Sequence, residues 1–225
     1  MKRKIITTAD GSKTIHIEDW NEQYHSKHGA IQEANHVYLE HGLLFYFSEY
    51  YRDNAKPISV LEIGFGTGLN ALLTWRVSND LKCKIDYTGV EAYPVKPEEL
   101  ELLDYPEQLH IDPEVFQSLH VTDWNSKQQI SESFLLTKQQ KYFNEIEDEN
   151  VFDVIYFDAF GARVQPELWT AELFEIMYKA LRPNGVLTTY AAIGEVRRTM
   201  TALGFEVQRL KGPPGKRHMI RAIKR

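Results

Sequence analysis

Three glycines at alternate positions, Gly64, Gly66 and Gly68, constrain the fold of this chain more than any other feature. They follow an apolar stretch that contains Glu62, and they precede a helix-like stretch that opens at Asn70. Glycine is favoured where the backbone must turn tightly or let a ligand approach closely. A helix that begins there presents unpaired N–H groups toward such a ligand. The segment therefore predicts a strand, a ligand-binding loop and a helix in succession.

The spacing of the glycines separates two classes of cofactor. A dinucleotide-binding loop places its third glycine three residues after the second, with a pyrophosphate at the helix end. Leu69 occupies that place here, and Gly68 is the third glycine instead. This spacing disfavours a nicotinamide enzyme. With Glu62 before it and Thr67 within it, the loop resembles the cofactor loop of S-adenosylmethionine-dependent methyltransferases.

Strand-like and helix-like stretches alternate through the rest of the chain, as parallel α/β folds require. The stretch 152–157 is almost continuously apolar, which predicts a central strand buried on both faces. A helix over 170–181 is expected to begin after Thr170 and to end in a turn at 182–185. Further strands are predicted at 58–63, 85–90, 133–138 and 185–191, and further helices at 70–77, 97–103, 113–119 and 195–203.

The last two strand-like stretches, 205–210 and 218–223, are joined by a loop that contains Gly212 and Gly215. This connection is too short to hold a crossover helix, so the two strands must be antiparallel. A mostly parallel sheet that finishes in an antiparallel hairpin is the arrangement of class I S-adenosylmethionine-dependent methyltransferases. We therefore predict an α/β, Rossmann-like fold of that class.

The N-terminal segment carries different patterns. Residues 5–17 alternate in polarity around Asp10 and Gly11, which predicts a β-hairpin, and 29–51 is typical of a helix with one apolar side. A chain of 225 residues fits one domain with a continuous core. We predict a single methyltransferase domain over 1–225, made of a hairpin and helix extension over 1–55 and a catalytic core over 56–225.

The sequence shows no sign of membrane insertion, secretion or a disulfide framework. The longest apolar run, 42–47, is too short to span a bilayer, and no apolar segment of a secretory signal follows the basic start. Cys83 is the single cysteine, which rules out an internal disulfide and a multi-thiolate metal site. We expect a cytoplasmic protein with no membrane partner. No metal is predicted, because these histidines lie without acidic partners at ligand spacing: His16, His25, His28, His36 and His41.

Charge is distributed unevenly along the chain. The net charge is −6, but residues 194–225 hold nine Lys or Arg against two acids, a net of +7, which leaves −13 for the remainder. A basic end on an acidic body can steer a polyanion to one face. A solvated strand pair with a basic tail explains the same pattern, so the sequence leaves both interpretations open.

Three acids fall where the predicted parallel strands end, which is where ligands bind in open α/β sheets. Glu62 is placed to take the amino group of the methionine part of the cofactor. Glu91 lies 23 positions after Gly68, where a carboxylate holds two ribose hydroxyls. Asp158 ends the central strand, where the methyl acceptor is expected. One such acid is commonly a helix cap or loop contact, but three in register with the glycine loop favour a site.

The residues around Asp158 indicate the kind of acceptor. Enzymes that methylate the exocyclic amine of a base often have a Pro-Pro-aromatic motif here, whereas this chain has Asp158, Ala159 and Phe160. An aliphatic amine, with a pKa of about 10, is a good nucleophile once deprotonated. One carboxylate that orients the amine and accepts its proton suffices for that, with Phe160 packed beside it. The motif favours an alkylamine or oxygen acceptor and makes Asp158 the candidate catalytic residue.

Three more residues are candidates for substrate binding, each with a structural alternative. Trp169 either stacks on a flipped base, worth about 1–3 kcal/mol, or seals the following helix against the sheet. Arg197 and Arg198 either contact phosphates or are ordinary exposed helix arginines. The sequence leaves these alternatives open.

Several sequence blocks occur together over nearly the whole chain. They are Tyr24, Gly29 and Ala30, Glu33, 36–38, 62–70, 90–91, 158–160, 166–170, 194–198, 204–205 and 211–217. Together they resemble the tRNA 5-methylaminomethyl-2-thiouridine methyltransferases, both the stand-alone MnmD-type enzyme and the methyltransferase domain of the bifunctional MnmC enzyme. The long C-terminal blocks are the specific part of the resemblance, since many methyltransferases share the glycine loop.

The resemblance implies a reaction. S-adenosyl-L-methionine donates a methyl group to the primary amine of 5-aminomethyl-(2-thio)uridine at the tRNA wobble position, giving the 5-methylaminomethyl product. It implies tRNA as the partner, and it adds Glu33, Lys216 and Arg217 to the expected substrate-binding residues. Bifunctional relatives also carry a flavin oxidase domain. Because this chain ends at Arg225, we expect no oxidase activity.

One position departs from the family pattern. Relatives place an acid shortly after the third strand, where it meets the adenine amino group, and the aligned residue here is Tyr142. Either Tyr142 or Phe143 stacks on the adenine, or another acid such as Asp123 serves, or the register differs.

Two alternative functions are compatible with part of these observations. A methyltransferase that acts on a small-molecule amine or hydroxyl would use Glu62, Glu91 and Asp158 but not the basic tail, and its activity would be insensitive to salt. A non-catalytic tRNA-binding protein with this fold would show no turnover.

Overall fold

The computed structural model describes residues 2–52 and 56–225. The predicted boundary between residues 55 and 56 therefore falls partly outside the described residues. Two sheets are present in this part of the chain, one of three strands and one of eight. The strands are β1 (Arg3–Thr7), β2 (Lys13–Ile17), β3 (Glu22–Gln23), β4 (Ile58–Ile63), β5 (Ile85–Val90), β6 (Lys127–Ser131), β7 (Phe134–Gln139), β8 (Phe152–Phe157), β9 (Leu181–Thr189), β10 (Phe205–Lys211) and β11 (His218–Lys224).

Helices lie before, between and after the strands of the larger sheet. A π-helix, Asn35–Leu44, continues α1 and runs into α2, so that 30–49 forms one helical stretch. None of the helices within 2–52 and 56–225 has both the length and the apolar character of a bilayer-crossing segment. The α-helices are α1 (Ala30–Ala34), α2 (Phe45–Glu49), α3 (Leu69–Leu81), α4 (Pro97–Leu100), α5 (Tyr105–Leu109), α6 (Pro113–Val121), α7 (Ala171–Ala180) and α8 (Gly194–Ala202), with 3₁₀ turns at Phe143–Glu145 and Pro166–Trp169.

The eight-stranded sheet has the order β10-β11-β9-β8-β4-β5-β7-β6. Its five central strands, β9, β8, β4, β5 and β7, are parallel to one another. All six residues of β8 are buried, as an apolar strand covered on both faces requires. At one edge, β11 pairs antiparallel with both β9 and β10. The predicted class I fold, with its terminal antiparallel hairpin, is confirmed.

The opposite edge of the sheet holds an element that the sequence did not predict. β6 pairs antiparallel with β7, so the sheet has a second hairpin. Four of the five β6 residues are polar and none is buried, so no apolar alternation marks this edge strand. The short helix α5 escaped prediction for a similar reason, because five residues are too few to show a helical period.

The segment 182–185 was predicted as a turn between a helix and a strand, but it lies within β9. The ladder between β8 and β9 shifts there: Phe152 pairs with Leu181, and Val154 pairs with Val186. Four residues of β9 therefore face the single residue Asp153. An ion pair of 2.8 Å between Arg182 and Asp153 holds this bulge against the strand.

The N-terminal segment packs onto the large sheet. β1 and β2 pair antiparallel from Arg3 with Ile17 to Thr7 with Lys13, which confirms the predicted hairpin. Ile15 of β2 and Val37 and Tyr38 of the π-helix belong to the same apolar cluster as the strands β4 and β5. The N-terminal extension and the sheet therefore share one core.

Candidate active site

A cavity of about 1260 Å³ lies at the carboxyl ends of β4, β5 and β8, with the N-terminal segment on its other side. Most of the predicted cofactor residues and part of the predicted substrate residues reach it. Those that line it are Glu33, Glu62, Gly64, Gly66, Thr67, Glu91, Asp158, Phe160 and Lys216.

The glycine loop leads from β4 into α3 as predicted. Gly64 has φ +90°, and a Cβ atom there would lie 2.8 Å from the carbonyl oxygen of Asp158. A side chain at this position is thus excluded both by the backbone conformation and by the neighbouring strand end. Gly68 is the left-handed residue just before α3, and Thr67 beside it is buried. The loop therefore forms a cradle of bare backbone on one side of the cavity.

Glu91 holds the loop from the end of β5. Its carboxylate accepts hydrogen bonds from the backbone N–H groups of Gly66, at 3.1 Å, and Tyr93, at 2.9 Å. Burial raises the pKa of Glu91, and the backbone donors act against that rise. The residue lines the cavity next to the loop, where the sequence placed it.

Glu62 and Asp158 share one donor. The side-chain amide of Asn70 donates to Glu62 at 2.8 Å and to Asp158 at 2.9 Å. Tyr87 donates a second hydrogen bond to Glu62, at 2.8 Å. Burial raises the pKa of Glu62 well above its ordinary value. Within the described chain, the buried Oδ1 of Asn70 has no hydrogen-bond partner, so an acceptor is left free beside the Glu62 carboxylate.

Asp158 is held by a residue that sequence reasoning did not assign. Tyr38 of the π-helix donates its phenol proton to Oδ1 of Asp158 at 2.6 Å. Burial raises the pKa of Asp158 to about 6, while the hydrogen bonds from Tyr38 and Asn70 lower it. Tyr38 belonged to a block that carries the family resemblance, which was the one available signal for it.

Aromatic rings surround the Asp158 end of the cavity. Phe160 makes edge-to-face contacts with Trp20 and Tyr24, with ring centroids 5.6 and 5.0 Å apart. Tyr190 lies nearby and donates to the carbonyl oxygen of Ala159 at 2.9 Å. Trp20 and Tyr24 come from the N-terminal segment, and neither was among the site residues predicted from the sequence.

The loop between β10 and β11 reaches the same end of the cavity. Lys216 of this loop forms an ion pair with Glu33 of α1. Its ammonium group also lies over the ring of Tyr190, 3.8 Å from the centroid. Glu33 and Lys216, which only the resemblance had singled out, are therefore brought together beside the aromatic rings.

Four predicted substrate residues lie outside the cavity. Trp169 is buried, packs against Phe157 with centroids 5.2 Å apart, and donates its indole N–H to the carbonyl oxygen of Phe160 at 2.8 Å. The packing alternative thus describes its place in the structure. Arg197, Arg198 and Arg217 are exposed on the surface instead.

The region predicted for an adenine contact is aromatic. Tyr93, Tyr142 and Phe143 line the cavity on the Glu91 side, and the hydroxyls of Tyr93 and Tyr142 are 3.1 Å apart. Asp123 does not line it. Of the alternatives left open by the sequence, stacking on Tyr142 or Phe143 matches this arrangement.

The prediction that the histidines lack acidic partners at ligand spacing is wrong for two of them. Ligand atoms of His36, Glu40 and His41 lie within 4.8 Å of one another. His36 and Glu40 are four residues apart and share one side of a helix, whereas residues i and i+5 of an α-helix, such as His36 and His41, point apart. These residues lie in the π-helix, which brings i and i+5 to one side.

Comparison with known proteins finds a family match over the C-terminal part of the chain and a structural match over nearly all of it. Residues 114–225 match a family model described as S-adenosyl-L-methionine-dependent methyltransferase. The crystal structure of MnmC2 from Aquifex aeolicus superposes with a TM-score of 0.75 at 25% identity, over 98% of this chain and 70% of that one. The chain is an S-adenosyl-L-methionine-dependent methyltransferase. Its cofactor is therefore S-adenosyl-L-methionine, which the glycine cradle, the free Asn70 acceptor and the buried carboxylates at its edges fit.

The sequence relatives are longer proteins. The tRNA 5-methylaminomethyl-2-thiouridine biosynthesis bifunctional protein MnmC of Nitrosospira multiformis is 29% identical over 210 residues, 88% of this chain and 33% of that protein. The protein of the same name from Hydrogenovibrio crunogenus is 27% identical over 233 residues, 97% of this chain and 33% of that protein. This methyltransferase chain thus spans about a third of the length of these relatives. Spermidine synthase from Thermotoga maritima shares the fold alone, with a TM-score of 0.54 at 15% identity.

Proposed function

We propose that this methyltransferase N-methylates the aminomethyl group of 5-aminomethyl-(2-thio)uridine at the tRNA wobble position, giving 5-methylaminomethyl-(2-thio)uridine. The observation that carries the proposal is the Asp158 carboxylate, held by Tyr38 and Asn70 at the aromatic end of the cavity. The names of the MnmC relatives support the choice of acceptor. The absence of flavin oxidase activity stays a prediction.

The proposed cofactor contacts follow the sequence assignment. Gly64, Gly66 and Gly68 let the cofactor approach the backbone of the loop, which Thr67 and Asn70 complete. Glu91 is proposed to hold the ribose hydroxyls, and Glu62 to face the amino group of the methionine part. The cofactor supplies a methyl group on a sulfonium centre. The chain's contribution is to align the two reactants and to exclude water, which is most of what such a displacement requires.

The aromatic end of the cavity suits an alkylamine. An ammonium group is attracted to aromatic faces, and Phe160, Tyr24 and Trp20 offer several rings at this end. The amine must lose a proton before it attacks, because its lone pair forms the new bond. Asp158, with a pKa of about 6, is mostly ionised at pH 7 and can accept that proton. The carboxylate thus serves first to orient the cation and then as the base.

An exposed basic surface supports a polyanionic substrate. Five exposed cations of the C-terminal region have no side-chain hydrogen bond or ion pair with another described residue. Unpaired cations are available to replace the counterions of a phosphate backbone. They are Arg197, Arg198, Arg209, Lys211 and Arg217.

The test is transfer of labelled methyl from S-adenosyl-L-methionine to tRNA from cells that stop at the aminomethyl stage. We expect label in 5-methylaminomethyl-(2-thio)uridine after nuclease digestion. Cofactor binding without any label in tRNA would contradict the tRNA substrate. Label in small amines, at a rate insensitive to salt, would identify a small-molecule methyltransferase instead.

A further inference from the structure

Two histidines and one glutamate converge on the π-helix, outside the lining of the active-site cavity. Nδ1 of His36 lies 3.2 Å from a carboxylate oxygen of Glu40. The imidazole rings of His36 and His41 are 4.7 Å apart between centroids. One ligand atom from each of the three residues lies within 4.8 Å of the others.

The backbone conformation is what creates this cluster. A π-helix closes its hydrogen bonds between residues i and i+5, so that His36 and His41 stand on one side with Glu40 between them. In an α-helix, with 3.6 residues per turn, His41 would point well away from His36. Single π-turns are frequent at functional sites, and this segment extends over ten residues.

The orientation of His36 is set by a second contact. Its Nε2 lies 2.9 Å from the carbonyl oxygen of Lys211, which can only accept a hydrogen bond. Nε2 is therefore held by this carbonyl, and Nδ1 is the ring nitrogen that faces Glu40. Histidines that bind metals are typically held in this way, with the other ring nitrogen donating to a carbonyl or carboxylate.

We propose that His36, Glu40 and His41 form a binding site for a divalent metal ion of the Zn²⁺ class. Two imidazoles and one carboxylate are a donor set that Zn²⁺ accepts in tetrahedral sites with three protein ligands and one open position. A shallow cleft of about 560 Å³, lined by His36 and Glu40 among others, lies beside the cluster. Water or an external ligand can reach the open position from that cleft.

The contact between His36 and Lys211 connects the proposed metal site to the loop between β10 and β11. Lys211 is the last residue of β10, and the loop that follows it contains Lys216, which pairs with Glu33 at the active-site cavity. A metal ion that fixes the His36 ring also fixes the ring's hydrogen bond to the start of this loop. Metal binding is therefore expected to order the loop between β10 and β11.

The direct test is calorimetric titration of the full, untagged and metal-free chain with Zn²⁺, together with visible absorption of the Co²⁺ form. We expect one Zn²⁺ site whose affinity falls at least tenfold in His36→Ala and in Glu40→Gln. Glu40 is exposed, so that variant is not expected to disturb folding. The matched controls are His110→Asn and Glu175→Gln, which remove a histidine and a helical glutamate elsewhere on the surface. Absence of Zn²⁺ binding, or affinity equal in Glu40→Gln and wild type, would overturn the site.

Hydrogen exchange tests the link to the loop. The amides of Gly212 and Lys216 bond to carbonyl oxygens within the loop and report on its order. Saturating Zn²⁺ is expected to slow their exchange in the wild type and to leave it unchanged in Glu40→Gln. If Zn²⁺ binds through the three residues while these exchange rates stay constant, the ordering of the loop is refuted. Neither measurement depends on the identity of the methyl acceptor.

Discussion

Tyr38 donates a 2.6 Å hydrogen bond to Oδ1 of Asp158, across 120 residues of sequence. Asn70 donates to the other carboxylate oxygen at 2.9 Å. Burial raises the pKa of this carboxyl group to about 6, and the two donors act against that rise because they stabilise the ionised form. The π-helix of the N-terminal extension therefore contributes, through Tyr38, to the charge state of the candidate catalytic residue.

Replacement of this donor should shift the pH dependence of methyl transfer. In Tyr38→Phe we expect the acidic limb of the kcat/KM profile, with its midpoint near pH 6, to move up by about one pH unit. A shift of that size lowers the ionised fraction of Asp158 about twofold at pH 7 and about fivefold at pH 6. The measurement is the pH–rate profile at saturating cofactor.

Tyr46→Phe is the matched control for Tyr38→Phe. Tyr46 lies in α2 and donates at 3.0 Å to Asp153, which is near the other end of β8. The Tyr46→Phe variant removes a phenol–carboxylate hydrogen bond of the same kind, but away from the cavity. The midpoint of the acidic limb of its kcat/KM profile should therefore not move. Equal shifts in both variants, or none in Tyr38→Phe, would contradict the role given to Tyr38.

Asp158→Asn tests whether the carboxylate removes a proton from the acceptor. General bases typically contribute about 10²–10⁴-fold, and we expect a loss in that range at pH 7. The difference in rate between the wild type and Asp158→Asn should become smaller as the pH approaches the amine pKa of about 10, because solvent then deprotonates the amine. Single-turnover rates across this range measure it, with cofactor affinity checked separately. A loss that stays constant up to high pH would show that Asp158 only positions the amine.

The parts of the site that were predicted from the sequence are those whose positions depend on local sequence patterns. Strand β4, the glycine loop and the acids Glu62, Glu91 and Asp158 are adjacent to strand ends, so periodicity and spacing suffice to place them. Parallel pairing then brings the carboxyl ends of β4, β5 and β8 to one edge of the sheet. The same logic could not place Tyr38, because its contact with Asp158 depends on how the N-terminal extension packs.

Other features were missed because their local signals are absent or misleading. Trp20 and Tyr24 join Phe160 from the irregular segments on either side of the two-residue strand β3, which have no period to recognise. His36 and His41 are five residues apart, a spacing that brings two side chains together in a π-helix but not in an α-helix. The sequence allowed Trp169 either to stack on a base or to be buried. Only the packing of its indole in the folded chain decides between these two roles.

The glycine loop should not tolerate a methyl group at its first position. Ala at position 64 would have to adopt φ near +90° and place its Cβ 2.8 Å from the Asp158 carbonyl oxygen. We expect Gly64→Ala to lower the free energy of unfolding by about 2 kcal/mol or more and to abolish measurable cofactor binding. Urea unfolding and calorimetry measure the two effects.

Gly194→Ala provides the comparison for Gly64→Ala. Gly194 begins α8, and a Cβ there meets only Arg198 at 3.5 Å, an ordinary contact. We expect its unfolding free energy to stay within about 0.5 kcal/mol of the wild type and its cofactor affinity to be unchanged. Normal cofactor binding by Gly64→Ala would refute the close-approach role of Gly64.

Charge reversal on β10 should weaken tRNA binding and reduce its dependence on salt. Arg209 and Lys211 are exposed on this edge strand and, two residues apart, project to the same face. In the double variant Arg209→Glu with Lys211→Glu, we expect the Kd for tRNA to rise at least tenfold and the slope of log Kd against log salt to become shallower. Affinity for S-adenosyl-L-methionine should remain as in the wild type.

Lys82→Glu with Lys84→Glu is the charge-matched control for that variant. These lysines are exposed just before β5, at the end of the strand that lies away from the cavity. Their reversal should leave tRNA affinity nearly unchanged. Equal weakening by both double variants would mean that overall charge, and not the β10 surface, governs binding.

Buried histidines should make the protein sensitive to mild acid. Burial and, to a smaller extent, the neighbouring Lys138 lower the pKa of His120 from 6.5 to about 3. Between pH 6.5 and pH 3, His120 is therefore protonated in the unfolded chain but not in the folded chain. Stability that is present above pH 6.5 is lost as the pH falls toward 3. For one histidine the loss in free energy of unfolding between pH 7 and pH 5 is about 2 kcal/mol.

Urea unfolding of His120→Gln tests this expectation. The loss in free energy of unfolding between pH 7 and pH 5 should be smaller than that of the wild type by this amount. The control His110→Asn, which removes an exposed imidazole, should keep the wild-type dependence on pH. An unchanged loss in His120→Gln would show that His120 accepts its proton in the folded state.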